Sequence, residues 1–268
     1  MESKTQIAGI DLDAIKATLA GLQNKNSKKN YLWRPEDDSS TTIRLLPYKH
    51  NPSMPFTELK FHYGKAKGNQ YFLSPATYGK ADPFVEAADE LASAGDKENW
   101  KLSRKLMPTQ RTYVPVVVRG EENAGVKMWG IGSTVYEELL KLISDPDYGD
   151  ITHTETGTDI VVEKQSGSTV GNIYGKISVR PKRKSSILTN DPKLLEKLLD
   201  EQPDLTEIYP ETSYEKLTEV LEAYLNPDSD DEKTAADTST EASIKAAPAF
   251  DKEKIFSEFD EMMKAEKK

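Results

Sequence analysis

Aromatic side chains alternate with lysine and arginine at four places along the middle of this chain. Tyr63 and Tyr71 enclose a basic loop, and Lys127 lies two residues from Trp129. An aromatic ring can stack on an unpaired base, while a nearby cation can contact the phosphate backbone. The pattern therefore indicates a surface that holds a single strand of nucleic acid without reading its base sequence.

The alternation predicts two classes of contact residue. The rings predicted to stack on bases are Tyr63, Tyr71, Tyr78, Tyr113, Trp129 and Tyr174. The cations predicted to contact phosphates are Arg44, Lys65, Lys67, Lys80, Arg104, Lys105, Arg111, Lys127, Arg180, Lys182, Arg183 and Lys184. Four cations between Arg180 and Lys184 repel one another unless a polyanion is near. The alternative for any ring is a place in the core, and for any cation a solvated surface.

The charge of the chain is divided among three segments. Residues 1–30 carry five Lys against three acidic residues, and residues 31–185 carry 21 Lys and Arg against 20 acidic residues. Residues 186–268 carry 10 Lys against 22 acidic residues, and 16 of the 22 aromatic residues lie in the middle segment. This layout is typical of a protein that binds a polyanion and covers that surface with its own acidic tail.

Residues suited to catalysis are sparse. The chain has no Cys, which excludes disulfides, thiolate zinc sites and a Cys nucleophile. Its three His form no two-His helix motif, and no glycine-rich phosphate loop is visible. Asp145, Asp147 and Asp150 resemble the start of a calcium loop, but Pro146 and the missing downstream Glu disfavour one. We therefore predict that the protein is not an enzyme.

Two other functions remain open on these residues. One is a protein-interaction adaptor that uses the acidic helices, never touches DNA and keeps its core aromatic rings internal. The other is a nuclease that holds magnesium at the acidic cluster of Asp145–Asp150.

Short strands dominate the predicted elements of the middle segment. Strands are expected at residues 41–46, 56–63, 70–73, 111–119, 126–131, 159–164 and 172–180, with helices at 82–94 and 133–143. Many short strands with one or two inserted helices predict a mainly β fold with appended helices (α+β) around a small barrel. Two acidic helices are expected after residue 186.

Four segments follow from these patterns. Residues 1–30 are expected to be a basic arm for self-association, residues 31–185 the binding core, residues 186–225 an acidic helical extension and residues 226–268 a disordered acidic tail. In the arm, Leu12, Ile15 and Leu19 recur on one helix face that needs a partner, such as a second copy of the chain. The predicted protein-docking residues of the tail are Ile255, Phe256, Phe259, Met262 and Met263.

The middle of the chain resembles the single-stranded-DNA-binding proteins of T-even-type bacteriophages, which are helix-destabilising replication proteins. The resembling residues include Ile43-Arg44-Leu45-Leu46-Pro47, Pro55-Phe56, His62-Tyr63-Gly64, the Val-rich strand of Tyr113, Val126 to Gly132, and Val135-Tyr136. The order of these residues and the three-part layout of arm, core and tail are shared with that family.

The resemblance implies an oligonucleotide-binding (OB-type) barrel core with an inserted helical subdomain. It also implies cooperative binding of single-stranded DNA, which protects the strand during phage replication, recombination and repair. In that family the arm carries a Lys/Arg-Ser/Thr motif for self-association, of which Ser3-Lys4-Thr5 remains here. Expected partners are single-stranded DNA, other copies of the chain, and phage replication and recombination proteins that bind the acidic tail.

Zinc is the largest departure from the resembled family, whose type member binds the metal with one His and three Cys. His62 aligns with the His, but the Cys positions fall near Ser74, Asp82 and Val85, and the chain has no thiolate. We therefore predict no cofactor and a zinc-free subdomain held by apolar packing of Phe84 and its helix.

A long apolar segment is missing from the sequence. No run of 18 apolar residues and no apolar N-terminal signal segment are seen, which predicts no membrane contact. Together with the resemblance, this predicts a location in the cytoplasm of the host cell.

Overall fold

The structure is a computed structural model that describes residues 31–66, 70–173 and 175–225. The predicted self-association residues and the predicted docking residues of the tail lie outside the described residues, as do Lys67 and Tyr174. None of the helices in the described part of the chain combines the length and the apolarity needed to cross a membrane.

The described residues form two compact units. The first unit contains the described residues up to Thr57 together with Thr112–Ile208. The second unit contains Glu58–Arg111 and the described residues from Tyr209 onward. The predicted division into an arm, a core, a helical extension and a tail concerns functional segments, and it stays a prediction.

Eight strands make up the mixed sheet of the described residues. They are β1 (Leu32–Trp33), β2 (Ser39–Leu45), β3 (Thr57–Tyr63), β4 (Tyr71–Leu73), β5 (Thr109–Val118), β6 (Lys127–Ile131), β7 (Thr158–Gln165) and β8 (Lys176–Ser185). The main path runs β1-β6-β5-β2-β7-β8, in which only β1 and β6 are parallel. β8 therefore lies at an edge of the sheet. Pro181 has no backbone N–H to donate, and an edge strand tolerates such a residue where a central strand does not.

Seven α-helices accompany these strands in the described residues. They are α1 (Pro83–Ser93), α2 (Lys97–Leu106), α3 (Ser133–Ser144), α4 (Gly167–Val170), α5 (Pro192–Asp200), α6 (Leu205–Ile208) and α7 (Tyr214–Leu225). Because α1 and α2 lie between β4 and β5, the prediction of a mainly β fold with appended helices and an inserted helical segment is confirmed. The predicted strand at 172–180 instead begins at Lys176 and ends at Ser185. α4 and its C-cap Gly171 lie just before the predicted range, and Gly175, which has a positive φ, directly precedes the strand.

The core of the first unit lies on the face of the sheet that α3 covers. Ile43, Val114, Val116, Trp129 and Ile160 are almost completely buried there, packed with Leu139 of α3 and with neighbouring apolar residues. Val-rich β5 supplies much of this core because six of its ten residues are buried in one continuous stretch. Strands buried on both faces read as apolar runs of this kind.

The second unit is built from a two-stranded ribbon and three helices. β3 and β4 pair antiparallel, and β3 also pairs with β5, whose residues 109–111 belong to this unit. Phe84 of α1 is fully buried in a core to which α2 contributes Leu102 and Leu106 and α7 contributes Leu217 and Leu221. Asp82 caps the N-terminus of α1 and Asp96 caps that of α2, so each carboxylate satisfies backbone N–H groups that the helix leaves unpaired.

Candidate nucleic-acid interface

Two tyrosines stand side by side on the ribbon of the second unit. Tyr63 of β3 is paired in register with Tyr71 of β4, and their ring centroids are 6.1 Å apart with planes tilted by 44°. The side chains are 42% and 49% exposed. Directly opposed residues of antiparallel strands project to the same face of a sheet, which is why the register alone brings the rings together. The pair thus presents two neighbouring aromatic surfaces to solvent.

Buried aromatic rings support this tyrosine pair. Phe61 lies two residues before Tyr63 on the same strand face, and its ring centroid is 5.7 Å from that of Tyr63 and 5.9 Å from that of Tyr71. Tyr209 packs edge-on against Phe61 and Tyr71 at 5.0 and 5.9 Å. Both supporting rings are almost completely buried. Packing of this kind fixes the orientation of Tyr63 and Tyr71, so their exposed rings are already oriented to stack on a flat ligand.

Tyr78 and Lys80 form a second exposed group in this unit. Tyr78 ends a short 3₁₀-helix, and the ammonium of Lys80 lies 5.9 Å from the centre of its ring. Lys80 also forms an exposed ion pair with Glu211 at 2.7 Å. The charge of Lys80 is therefore partly compensated in the free protein, and a phosphate has to compete with that carboxylate.

Trp100 is an exposed ring that the sequence pattern did not single out. It lies on α2, is 53% exposed, and has the guanidinium of Arg104 5.2 Å from its ring centre. Leu102 and Leu106 of the same helix are buried, so helix geometry turns Trp100 and Arg104 outward together. The indole thus makes a cation–π contact with Arg104, and its exposed flat ring is suited to stacking on a base. The helical spacing of Leu102 and Leu106 is the signal that could have identified it.

The remaining predicted cations of the second unit differ in exposure. Arg104, Lys105 and Arg111 are exposed, as a phosphate contact requires. Lys65 is not, and its assignment as a phosphate contact is wrong in this structure. Its ammonium donates a hydrogen bond to the carbonyl of Lys105 and lies 4.9 Å from the ring centre of Tyr224. Burial lowers the pKa of Lys65, and the nearby charge of Lys105 lowers it further.

The first unit carries a basic group at the end of edge strand β8. Thr158 of β7 pairs with Ser185, yet Ile160, only two residues on, pairs with Pro181. Lys182, Arg183 and Lys184 lie within this bulge, and all three are exposed. A bulge breaks the alternation of a strand and re-aims its side chains, so the cations are not divided strictly between two faces. Arg180 is also exposed and pairs with Glu163 at 3.0 Å.

Arg44 does not contact solvent, so its predicted phosphate contact is wrong. The side chain is fully buried, and its guanidinium donates to Asp159 at 2.9 Å and to the carbonyl of Ser186 at 2.7 Å. Arg119 donates to the same carboxylate oxygen at 2.9 Å. Two guanidiniums therefore share one buried carboxylate inside the first unit, and a charge held in this way serves the fold.

The predicted stacking roles of Tyr113 and Trp129 are also wrong. Trp129 is 1% exposed and meets Trp33 edge-on with ring centroids 5.3 Å apart. Tyr113 is 6% exposed and is the cross-strand partner of Gly130, whose missing side chain makes room for the ring. A Cβ at Gly130 would lie 3.1 Å from Cε1 of Tyr113. Neither ring offers a base a free face. Lys127, at the start of β6, is half-buried.

The residues at or near the zinc-ligand positions of the resembled family do not fit that metal. His62, Ser74 and Asp82 come together, but Nε2 of His62 is hydrogen-bonded to Asp82 at 2.9 Å. Ser74 supplies a neutral hydroxyl, and Val85 supplies no ligand atom. No group of three His, Cys, Asp or Glu in the described ranges is placed to hold a metal, and that includes Asp145–Asp150. There, Asp150 accepts hydrogen bonds from the backbone and hydroxyl of Thr152.

Comparison with known proteins identifies the family of this chain. Residues 37–226, well over half of the chain, match the family model described as gp32 DNA binding protein like. The matched range contains the tyrosine pair, Trp100 with Arg104, and the β8 bulge. No curated protein matches the chain.

Proposed function

Because this chain belongs to the gp32-like family of DNA-binding proteins, we propose that it binds single-stranded DNA without sequence preference. The observation that carries this proposal is the tyrosine pair, two exposed rings in register on a buried aromatic base. Every base has a flat face, so stacking on such rings discriminates little between sequences. The faces of bases in a duplex are already stacked, which favours an unpaired strand.

Stacking provides the part of the affinity that is insensitive to salt. A base stacked on an aromatic side chain contributes on the order of 1–3 kcal/mol. The tyrosine pair, Tyr78 and Trp100 offer exposed rings in the second unit. Ring orientation at the pair is set by Phe61 and Tyr209 before any ligand arrives, so little ordering is needed on binding.

Phosphate contacts provide the part of the affinity that depends on salt. The exposed cations are Arg104, Lys105 and Arg111 in the second unit and Lys182, Arg183 and Lys184 in the first. Each cation that neutralises a phosphate releases condensed counterions, so affinity falls as salt rises. Neither contribution needs a cofactor or a covalent step, and we propose that the protein acts without either.

Replacing both Lys182 and Arg183 with Ala should flatten the salt dependence. Each phosphate contact contributes about 0.7 to the slope of log affinity against log salt for single strands, so the slope should fall in magnitude by about 1 to 2. Titrations with poly(dT) across a salt series measure it. The matched control is Lys193→Ala with Lys197→Ala, which removes two exposed cations of α5 in the same unit. Equal slopes in both double variants would show that the β8 bulge makes no phosphate contact.

Cooperative binding and replication roles belong to the same proposal. We propose that residues 1–30, with Ser3-Lys4-Thr5 and the Leu12, Ile15 and Leu19 face, join neighbouring copies along the strand in the cytoplasm of a host cell. The residues of the tail, including Ile255, Phe256 and Phe259, are proposed to bind other replication and recombination proteins. The sequence pattern and the family membership support these roles.

Removing residues 226–268 should tighten binding at moderate salt. The segment carries 12 acidic residues against 7 Lys. A net negative segment tethered to a phosphate-binding surface competes with the strand, and the competition weakens when salt screens it. Strand affinities of the full and the shortened chain, compared across a salt series, test this. Equal affinities at every salt concentration would show that the tail does not compete.

Tryptophan fluorescence tests the proposed function. Trp100 is exposed while Trp129 is buried, so a strand that reaches α2 should quench Trp100. We expect salt-sensitive quenching by poly(dT), with the oligonucleotide intact after incubation with magnesium. Unchanged fluorescence, together with no binding by gel shift, would favour the adaptor. Magnesium-dependent loss of the oligonucleotide would favour the nuclease.

A further inference from the structure

A buried hydrogen-bonded cluster joins three segments of the second unit. His62 belongs to β3, Ser74 follows β4, and Asp82 caps α1. Nε2 of His62 lies 2.9 Å from Oδ2 of Asp82, and the hydroxyl of Ser74 donates to the same oxygen. All three residues are almost completely buried. The cluster therefore links residues that are 8 to 20 positions apart in the chain.

The carboxylate of Asp82 is fully supplied with donors. Its Oδ2 accepts from His62 and Ser74, while its Oδ1 accepts from the backbone N–H groups of Phe84 at 2.9 Å and Val85 at 3.4 Å. A buried carboxylate is tolerated only when its lone pairs are satisfied in this manner. The ring of Phe84 stacks on His62 with centroids 4.6 Å apart and planes at 29°, which closes the cluster on the apolar side.

We propose that this cluster replaces a structural metal, so that the second unit folds without zinc. His62 aligns with the zinc-binding His of the resembled family's type member, and two of its Cys positions fall near Ser74 and Asp82. Here His62 and Ser74 both hydrogen-bond to Asp82. Because the carboxylate only accepts, Nε2 of His62 carries the proton of their hydrogen bond and has no lone pair for a metal. Nδ1 has no hydrogen-bond partner among the described residues, and no second His, Cys, Asp or Glu there completes a three-ligand set with His62 and Asp82.

Asp82→Asn tests the proposal against a matched change elsewhere. The amide offers one acceptor atom where the carboxylate offers two, so either the His62–Ser74 side or the α1 backbone side faces an NH₂ group. We expect the melting temperature of the full chain to fall by about 5–10 °C. Asp96→Asn makes the same change at the exposed N-cap of α2, where Oδ1 accepts from the backbone N–H groups of Glu98 and Asn99. We expect its melting temperature to fall by less than about 2 °C.

Two further measurements keep the proposal falsifiable if Asp82→Asn does not fold. Ser74→Ala removes a single donor from the cluster and should lower the melting temperature by about 2–5 °C. Full-length protein made without added metal should contain no stoichiometric zinc and should melt at the same temperature with and without EDTA. Stoichiometric zinc that survives dialysis, a lower melting temperature in EDTA, or a Ser74→Ala variant as stable as the parent would each overturn the proposal. None of these outcomes depends on whether the protein binds DNA.

Discussion

Replacing both Tyr63 and Tyr71 with Ala should weaken binding to poly(dT) by about 2–4 kcal/mol, a loss of roughly 30-fold to 1,000-fold in affinity. The two rings are the exposed members of an aromatic group whose buried members are Phe61 and Tyr209. Removing them takes away two stacking surfaces and leaves every cation in place. The salt dependence of binding should therefore change little, and the loss should be similar at each salt concentration.

Two control variants make this loss specific. Tyr63→Phe with Tyr71→Phe keeps both rings and should retain most of the affinity, because stacking uses the ring face more than the hydroxyl. Tyr31→Ala removes another exposed tyrosine, one that lies in the first unit, and should bind the strand normally. Equal affinity of the double Ala variant and the parent, with circular dichroism showing both folded, would contradict the role given to the tyrosine pair.

Trp129→Ala should lower the stability of the protein, whereas Trp100→Ala should weaken its binding to a single strand. Trp129 is buried against Trp33, so its loss leaves a large cavity in the first unit and should lower the free energy of unfolding by about 3–5 kcal/mol. Trp100 is exposed, so its loss should change stability by less than about 0.5 kcal/mol. Binding of a single strand by Trp100→Ala should nevertheless weaken by about 1–3 kcal/mol.

Denaturant unfolding and strand titration of the same two variants give the measurements. The two variants serve as controls for each other, because each removes one indole and the two indoles differ in burial. A Trp129→Ala protein that remains as stable as the parent but loses strand affinity would show that the ring meets DNA. It would restore the stacking role that its burial excludes.

The strands of this fold were largely predictable because their residues are β-branched and lie between clear turn signals. β5, with its run of Val residues, and β2, which contains Ile43, lie close to their predicted positions. The tyrosine pair could be predicted in part, since Tyr63 and Tyr71 stand on either side of a short basic loop. The alternation of side chains along a strand and the formation of a hairpin depend on residues close together in the chain, so the sequence alone can predict them.

Burial of individual side chains was harder to predict because it depends on partners far away in the chain. Arg44 looks like a surface cation, and only the fold brings Asp159, 115 residues later, to its guanidinium. Tyr113 lies in the six-residue buried stretch of β5, and Trp129 lies on β6, where three of five residues are buried. An aromatic residue near a lysine therefore did not predict exposure. Distant ion pairs and doubly covered strands leave little trace in local sequence patterns.

The helix α2 was missed for a different reason. Its ten residues include few apolar side chains, and the exposed Trp100 obscures the spacing of Leu102 and Leu106. Asp96 at the N-cap and Arg104 and Lys105 in the last turn are the capping and charge signals that identify it in retrospect. The cluster of His62, Ser74 and Asp82 was anticipated only as aligned positions, because hydrogen bonding among them needs the folded ribbon.

A competition titration tests the central claim most directly, which is that exposed rings and cations bind an unpaired strand. The full chain is titrated in dilute buffer with labelled poly(dT), and unlabelled single-stranded or duplex DNA of equal nucleotide content is added as competitor. We predict that the single strand displaces the label at far lower concentration than the duplex, and that added salt weakens binding steeply. Equal competition by both forms, or no binding of the label in dilute buffer, would contradict the claim.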